Sequence, residues 1–207
     1  MDNRNAKYSL GFTSGSLLFK EAEAFISNIK NETDFIKGDE DIDRNIIPVN
    51  SESSQKRIKR ELDNRLRGLQ SPELILQYKT LDEANKKLIL FYSACKVYPI
   101  ISDFMLEVVL NKWYNLDIEL STDDFQNFLY RKMDTHPELL KITERTRKEI
   151  SEVTLRMLRE LGLTKNKNLQ KLYFDSHVLK NIVRNGDSWF LEILLLSEAE
   201  RNEIIEK

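Results

Sequence analysis

Positive charge is concentrated in residues 54–69, which read SQKRIKRELDNRLRGL. At about 3.6 residues per turn, Lys56, Arg60 and Arg67 form a row directly opposite the apolar stripe of such a helix. A row of cations fixed on a rigid rod is suited to binding phosphates, above all the backbone of a nucleic acid. The chemistry that this segment predicts is therefore the binding of a polyanion.

Neighbouring polar residues extend this first candidate surface. Asn64 and the arginines are able to reach base edges in a major groove. Arg65 instead lies beside the apolar stripe, in a ladder with Arg57 and Glu61 spaced by four, and we expect it to be paired and structural. An ordinary solvated helix face is the alternative for the whole segment. The candidate DNA-binding residues here are Lys56, Arg57, Lys59, Arg60, Asn64 and Arg67.

A second group of cations lies on a predicted helix over residues 146–161 and in the loop beyond Gly162. A helix that ends in Leu-Gly-Leu and is followed by a basic loop and a hairpin would resemble the end of a winged helix, whose loop meets phosphates. An ordinary core helix with charged solvent faces is the alternative. The candidates of this second surface are Arg145, Lys148, Arg156, Arg159, Lys165, Lys167 and Lys171.

The distribution of charge, more than its total, bears on the class of ligand. The chain as a whole carries a net charge of −2, which alone argues against a nucleic-acid partner. The net charge is nevertheless +4 over residues 56–67 and +6 over residues 131–184, and acidic segments flank both. Because the local field steers a polyanion, the two basic segments favour nucleic-acid binding.

The sequence holds no recognisable catalytic, cofactor or metal motif. Its two histidines, His136 and His177, are far apart and have no cysteine near them, so a zinc spacing is missing. The glycine pair in residues 11–15 is too close for a phosphate-binding loop. We therefore expect neither an enzyme nor a bound cofactor. A single cysteine, Cys95, and the lack of any long apolar stretch predict a soluble cytoplasmic protein that spans no membrane.

The elements that carry these residues are predicted to be helices, because glycine and proline are few and apolar residues recur at helical spacing. We expect an all-α, compact globular bundle with two helix-turn-helix-like elements. Residues 1–70 would hold the first element and residues 71–207 the second, packed together as one globule. Residues 169–174 are compatible with a short strand, a wing or an irregular loop. Without a heptad seam, a monomer is favoured.

Helix starts can be predicted from capping residues. Ser53 or Ser54 is expected to cap the first basic helix. Residues 146–149 and 197–200 match the capping-box pattern and should open two further helices.

Several blocks together resemble one known family. They are Phe12–Leu18, Ser54–Leu62 with Arg65 and Leu66, His136–Leu139, Thr143–Arg147, and Met157–Leu163. In that order and at that spacing they resemble the BrxA family, a small core component of BREX bacteriophage-exclusion systems. The resemblance implies an all-α protein with helix-turn-helix-like elements, DNA binding, and work alongside a methyltransferase, an ATPase and other defence components. It implies no catalytic residues.

Three functions remain open from the sequence. The first is a non-catalytic accessory protein that binds double-stranded DNA, mainly through phosphates. The second is a protein–protein adaptor of the defence complex, suggested by the acidic termini and charged helices. The third is an RNA-binding helical bundle, which competition between DNA and RNA duplexes would distinguish.

Overall fold

The computed structural model describes residues 7–206, and helices dominate them, which confirms the all-α class. The predicted division into residues 1–70 and 71–207 includes residues 1–6 and 207, which lie outside the described residues. The helices run over Phe19–Ser27 (α1), Glu32–Lys37 (α2), Glu52–Gly68 (α3), Pro72–Tyr78 (α4), Glu83–Val97 (α5), Pro99–Phe104 (α6), Leu110–Tyr114 (α7), Thr122–Lys132 (α8), Glu144–Leu161 (α9), Ser176–Arg184 (α10), Phe190–Ile193 (α11) and Glu198–Glu206 (α12). A π-helical turn, Met105–Val109, joins α6 to α7. Short 3-10 turns cover Gly11–Ser14, Arg44–Ile46 and Pro137–Lys141.

One hydrophobic core extends from Tyr8 to Leu196 and draws residues from both predicted parts of the chain. Helix α5 lies at its centre, because every side chain from Leu88 to Cys95 is buried. Helices α3, α4, α6 and α9 pack around α5. Burial of a large apolar side chain stabilises a fold by roughly 1.5–3 kcal/mol. Because α5 packs on both α3 and α9, it supports the two helices that carry the basic surfaces.

An aromatic cluster fixes α8 against α6. The ring of Phe104 lies 4.6 Å from that of Phe125 and 5.6 Å from that of Phe128, measured between centroids. Both α8 rings meet Phe104 in an edge-on arrangement, the geometry that aromatic pairs prefer. Because α8 packs in turn on α9, the cluster also helps to position the second basic helix.

Two of the predicted helix starts were wrong by a few residues. Helix α3 is capped by Ser51, whose hydroxyl accepts the Ser54 N–H at 3.1 Å, and not by Ser53 or Ser54. Helix α9 is capped by Thr143, which accepts the N–H of Thr146 at 3.2 Å, and not by Thr146. In each case a hydroxyl three residues upstream accepts the N–H of the third helical residue, so the helix begins earlier than predicted. The capping box at residues 197–200 is confirmed.

Helix α4 was not among the predicted helices, and it begins at a proline. Pro72 occupies the first turn of this helix, where its fixed φ is favourable and its missing N–H costs nothing. Ser71 caps that helix by accepting the Leu74 N–H at 3.3 Å.

Of the three alternatives for residues 169–174, the irregular loop describes all but Leu169, which ends a strand. An antiparallel hairpin pairs Thr164–Lys165 (β1) with Asn168–Leu169 (β2), whereas residues 170–175 are irregular. The segment that precedes α8 joins the other edge of the hairpin. The Leu120 N–H donates to the Lys167 carbonyl, and the Leu169 N–H donates to the Ile118 carbonyl, both at 2.8 Å. Such short strands leave no alternating pattern in the sequence.

Across residues 7–206, no single helix is both long and apolar enough to cross a membrane. Helix α5 and the α6–α7 segment meet the length and hydropathy requirements only as a pair, and they are bent by 105° relative to each other.

Arg65 is buried in the interior, which confirms the prediction that it is paired and structural. Its side chain is 2% exposed, and its Nε donates to Glu61 at 2.5 Å. The guanidinium also donates to the Ser16 carbonyl at 2.6 Å and to the Gly15 carbonyl at 3.2 Å. The Tyr98 hydroxyl donates to the same Glu61 carboxylate at 2.8 Å. Burial, reinforced by that carboxylate, raises the pKa of Tyr98 to about 12, so it remains a donor.

We expect Arg65→Ala to lower the free energy of unfolding by about 3–5 kcal/mol, because it leaves the Glu61 charge buried without its partner. Its effect on DNA affinity, measured on the folded fraction, should be smaller. Urea denaturation measures the stability. The matched control is Arg57→Ala, two turns earlier on the same helix and exposed, which should change stability by no more than about 0.5 kcal/mol. Equal effects of the two substitutions would contradict the structural role.

Candidate nucleic-acid interface

Helix α3 presents four of its six candidate residues to solvent. Lys56, Arg57, Arg60 and Asn64 are exposed, on the side of the helix away from the core. Lys56 lies 3.1 Å from the carboxylate of Glu52, one turn earlier, in an exposed pair that contributes little to stability. Asn64 donates to the Tyr98 hydroxyl at 3.3 Å. Arg57 and Arg60 form no ion pair with any described residue, so their charge is available to a ligand.

Lys59 is held between two carboxylates. Its ammonium lies 2.6 Å from Asp41 and 2.6 Å from Asp63, and its side chain is only 19% exposed. Burial alone would lower the pKa of Lys59, but the hydrogen bonds to the two aspartates outweigh it and raise the pKa above the ordinary value. Lys59 is therefore charged, and that charge is already balanced within the chain.

Arg67 is also engaged inside the molecule, which shortens the predicted row. Its guanidinium donates to the Glu40 carbonyl at 3.0 Å and lies 3.7 Å from Asp63. The same group sits over the ring of Phe35, 4.7 Å from the centroid. A helical wheel of α3 shows only the Asp63 contact, because Phe35 and Glu40 belong to α2 and the loop that follows it. Lys56 and Arg60 are the members of the row that remain at the surface.

An open groove of about 500 Å³ separates α3 from the loop at residues 41–45. Charges of both signs line it, since Arg44 and the α3 cations face three aspartates across it. Arg44, which the sequence did not single out, lies 2.5 Å from Glu52. Carboxylates so close to the cations reduce the local field that a phosphate would meet. The lining charged residues are Asp41, Asp43, Arg44, Lys56, Lys59, Arg60 and Asp63.

The second surface keeps more of its charge uncompensated. Arg145, Arg156 and Arg159 of α9 are exposed and form no ion pair within residues 7–206. Lys148 lies 4.0 Å from Glu152, at the limit of an ion pair, with its side chain 71% exposed. Helix α9 is strongly amphipathic and buries Ile150, Val153, Met157 and Leu161 against the core, so its cations are fixed on a rigid support.

The hairpin brings a further cation beside α9. A cleft of about 330 Å³ lies between the start of α8, the exposed side of α9 and the β1–β2 turn. Arg156, Arg159 and Lys167 line it together, and Glu152 is the one acid among the described residues of its lining. Thr164 and Asn166 add a hydroxyl and an amide that the sequence had not indicated as site residues. Lys165 is exposed on the same hairpin but does not line the cleft.

Lys171 points away from this surface toward α12. Its ammonium lies 2.6 Å from the carboxylate of Glu200. Hydrogen bonds from Lys171 and then from Ser197 lower the pKa of Glu200 to about 2. Lys171 would have to leave this carboxylate before it could bind a phosphate.

The sequence block His136–Leu139 makes contacts that hold the fold together. His136 is buried, and its ring stacks on that of Tyr8 with the centroids 3.8 Å apart. The Tyr8 N–H donates to the Glu138 carboxylate at 2.6 Å, which ties the start of the described chain to the α8–α9 connection. Among residues 7–206, no group of three His, Cys, Asp or Glu side chains is arranged to hold a metal ion.

We expect Lys171→Met to raise the pKa of Glu200 part of the way from about 2 to its ordinary 4.5, because the largest stabilising hydrogen bond is lost. A carboxylate with a lowered pKa stabilises the folded state at neutral pH, and that contribution disappears as the pH falls from 4.5 toward 2. Carboxyl-detected NMR titration measures the shift. Lys167→Met, which removes an equal charge from the hairpin, should leave the Glu200 titration unchanged; an unchanged titration in Lys171→Met itself would refute the pairing.

Comparisons with known proteins agree on one family. The BrxA family model matches residues 6–186. A relative named BREX protein BrxA, from Bacillus cereus (strain H3081.97), is 27% identical over 194 residues, which cover 91% of this chain and 96% of the relative.

A solved structure shares the fold. The crystal structure of an uncharacterized protein from Magnetospirillum magneticum matches with a TM-score of 0.69 at 16% identity, covering 91% of this chain and 98% of that one. At this identity the likeness establishes a common fold and nothing about activity. The family model, however, extends over most of the sequence. The chain therefore belongs to the BrxA family of BREX bacteriophage-exclusion systems.

Proposed function

We propose that this chain is a non-catalytic accessory protein of a BREX system that binds double-stranded DNA, mainly through backbone phosphates. The observation that supports it is the set of exposed, internally uncompensated cations on α9 and the hairpin, in a chain whose net charge is −2. Charges that find no internal partner are available to release counterions from DNA. The exposed Arg57 and Arg60 of α3 form a second, smaller surface.

The order of elements around α9 supports the same function. The extended segment at residues 118–120, helices α8 and α9, and the β1–β2 hairpin follow one another as in a winged helix, with α9 in the position of the recognition helix. The connection between α8 and α9, residues 133–143, is longer than the usual three or four residues. We therefore interpret the element as a winged-helix variant in which α9 lies along a groove of the duplex.

We further propose a monomer that works in the cytoplasm beside the methyltransferase and ATPase components of the system. The buried Cys95 thiol is compatible with a reducing compartment, and burial raises its pKa, which keeps it unreactive. Assays for nuclease, methyltransferase and nucleotide-hydrolysis activity are expected to be blank.

The wild-type chain should bind a duplex oligonucleotide with an affinity that falls steeply between two salt concentrations, with a slope of about −0.9 per phosphate contacted. Arg57→Glu/Arg60→Glu should weaken binding, and Arg145→Glu/Arg159→Glu should weaken it more. Fluorescence anisotropy gives affinity and slope, and circular dichroism checks helicity. Lys20→Glu/Lys30→Glu, an equal charge change at exposed positions outside both surfaces, is the control. No duplex binding at low salt, or equal losses in all three variants, would overturn the proposal.

A protein–protein adaptor is the second candidate, and one surface feature favours it. Leu116 is 86% exposed and Tyr114 is 60% exposed, next to the partly exposed Ile118. Leu116 also has a positive φ of 58°, a strained conformation for a branched residue. Exposed apolar residues grouped in this way are typical of a protein contact.

For the adaptor, we expect the chain to retain the methyltransferase or ATPase component in a pull-down after nuclease treatment. Leu116→Asp should abolish that retention, while Leu76→Asp, at another exposed leucine, should not. Retention that depends on intact nucleic acid would instead support DNA as the link.

A further inference from the structure

We infer that the cleft between α8, α9 and the hairpin is a clamp for a single backbone phosphate of the duplex, formed by Arg156, Arg159 and Lys167. The inference rests on the proposed function and deepens it by naming the contact that anchors the DNA. It also assigns the larger share of the affinity to this surface, not to α3.

The composition of the cleft fits a phosphodiester. Three cations and one carboxylate, Glu152, line it, and Lys148 lies 4.0 Å from that carboxylate on the solvent side. Arg156 and Arg159 are three residues apart on α9, so their guanidinium groups extend from the same side of the helix. Guanidinium groups bind phosphate oxygens in a bidentate manner, and the Thr164 hydroxyl and Asn166 amide are further donors.

The turn of the hairpin places Lys167 in this cleft at a conformational cost. Asn166 and Lys167 have φ values of 51° and 68°, as in a type I′ turn. The second position of that turn strongly favours glycine, because a side chain there meets the backbone. A lysine in its place gives up stability, and a charge aimed into a cationic cleft is a function that would compensate for this loss.

The backbone holds the turn in position. The Lys167 carbonyl accepts the Leu120 N–H at 2.8 Å, immediately before α8 begins, and the Leu169 N–H donates to the Ile118 carbonyl. The base of the Lys167 side chain is therefore fixed relative to both helices that border the cleft. A preorganised cation loses less freedom on binding than one on a mobile loop.

The α3 surface lacks these properties. Lys59 and Arg67 are bound to internal partners, and Lys56 lies beside Glu52. Its groove has three aspartates among its lining residues. Arg57 and Arg60 remain free of ion pairs with the described residues, which is enough for supporting contacts but not for a clamp.

The test compares two lysines of one hairpin. Lys167→Gln and Lys165→Gln remove the same charge from neighbouring positions, but only Lys167 lines the cleft. We expect Lys167→Gln to weaken binding of a labelled duplex about fivefold to tenfold. We also expect it to reduce the salt slope by about 0.9. Lys165→Gln should change affinity by less than about twofold.

A second variant separates binding from folding. Lys167→Gly relieves the positive φ, so its Tm should equal or exceed that of the wild type, while its affinity should fall as far as that of Lys167→Gln. Arg156→Gln/Arg159→Gln should weaken binding further but also reduce the slope by only about 0.9, because the three cations contact one phosphate. Arg145→Gln/Lys148→Gln, on the same helix but outside the cleft, should reduce affinity and slope less.

The outcomes distinguish the inference from the function on which it rests. If the wild type binds duplex but Lys167→Gln and Lys165→Gln have equal affinities and slopes, the clamp is refuted and DNA binding stands. The same conclusion follows if Arg57→Gln/Arg60→Gln is more damaging than Arg156→Gln/Arg159→Gln. If the wild type binds no duplex, the proposed function and the clamp fall together.

Discussion

A buried ionic junction at Arg65 connects the parts of the molecule that carry the basic surfaces. Its guanidinium bridges Glu61 of α3 and the carbonyls of Gly15 and Ser16 in the loop before α1. The Ser16 hydroxyl and the Leu17 N–H donate to Glu160 of α9, at 2.5 Å and 3.0 Å. Both basic helices are thus fastened to one short loop. A paired charge in a low-dielectric interior is intolerant of change, so the relative position of the two helices is constrained by chemistry as well as by packing.

The same requirement for charge compensation explains why the two surfaces differ. Helix α3 carries a dense row of cations, and Lys59 is paired both with Asp41 of the acidic loop that folds over the helix and with Asp63 of α3 itself. Helix α9 has Lys148 near Glu152, and no other carboxylate of the described chain forms an ion pair with its exposed cations. Density of charge along a sequence is therefore a poor measure of available charge. What matters is the number of cations left after neighbouring carboxylates have been satisfied.

Local signals in the sequence made much of the fold predictable. Contacts between distant segments could not be predicted from the sequence. Arg65 was placed correctly because its position beside the apolar stripe depends only on helical spacing. The helix predicted over residues 146–161 is present as α9, because its apolar residues recur at helical spacing. The internal partners of Lys59, Arg67 and Lys171 were not predicted, because Asp41, the Glu40 carbonyl and Glu200 come from other elements; Asp63, which also pairs with Lys59 and Arg67, lies on α3 itself. The bounds of the hairpin were not predicted, because its turn is Asn-Lys and not the usual Asn-Gly.

Acidic segments give this chain its negative total without abolishing its positive surface. The α2–α3 loop and α12 supply carboxylates that neutralise Lys59 and Lys171, while the hairpin and the exposed side of α9 lie where neither reaches the remaining cations. If the chain binds DNA as proposed, the exposed cations of α9 and the hairpin would attract the duplex, and the acidic segments would repel it. Under the proposed function, acidic residues away from the interface would help to orient the chain on DNA without touching it.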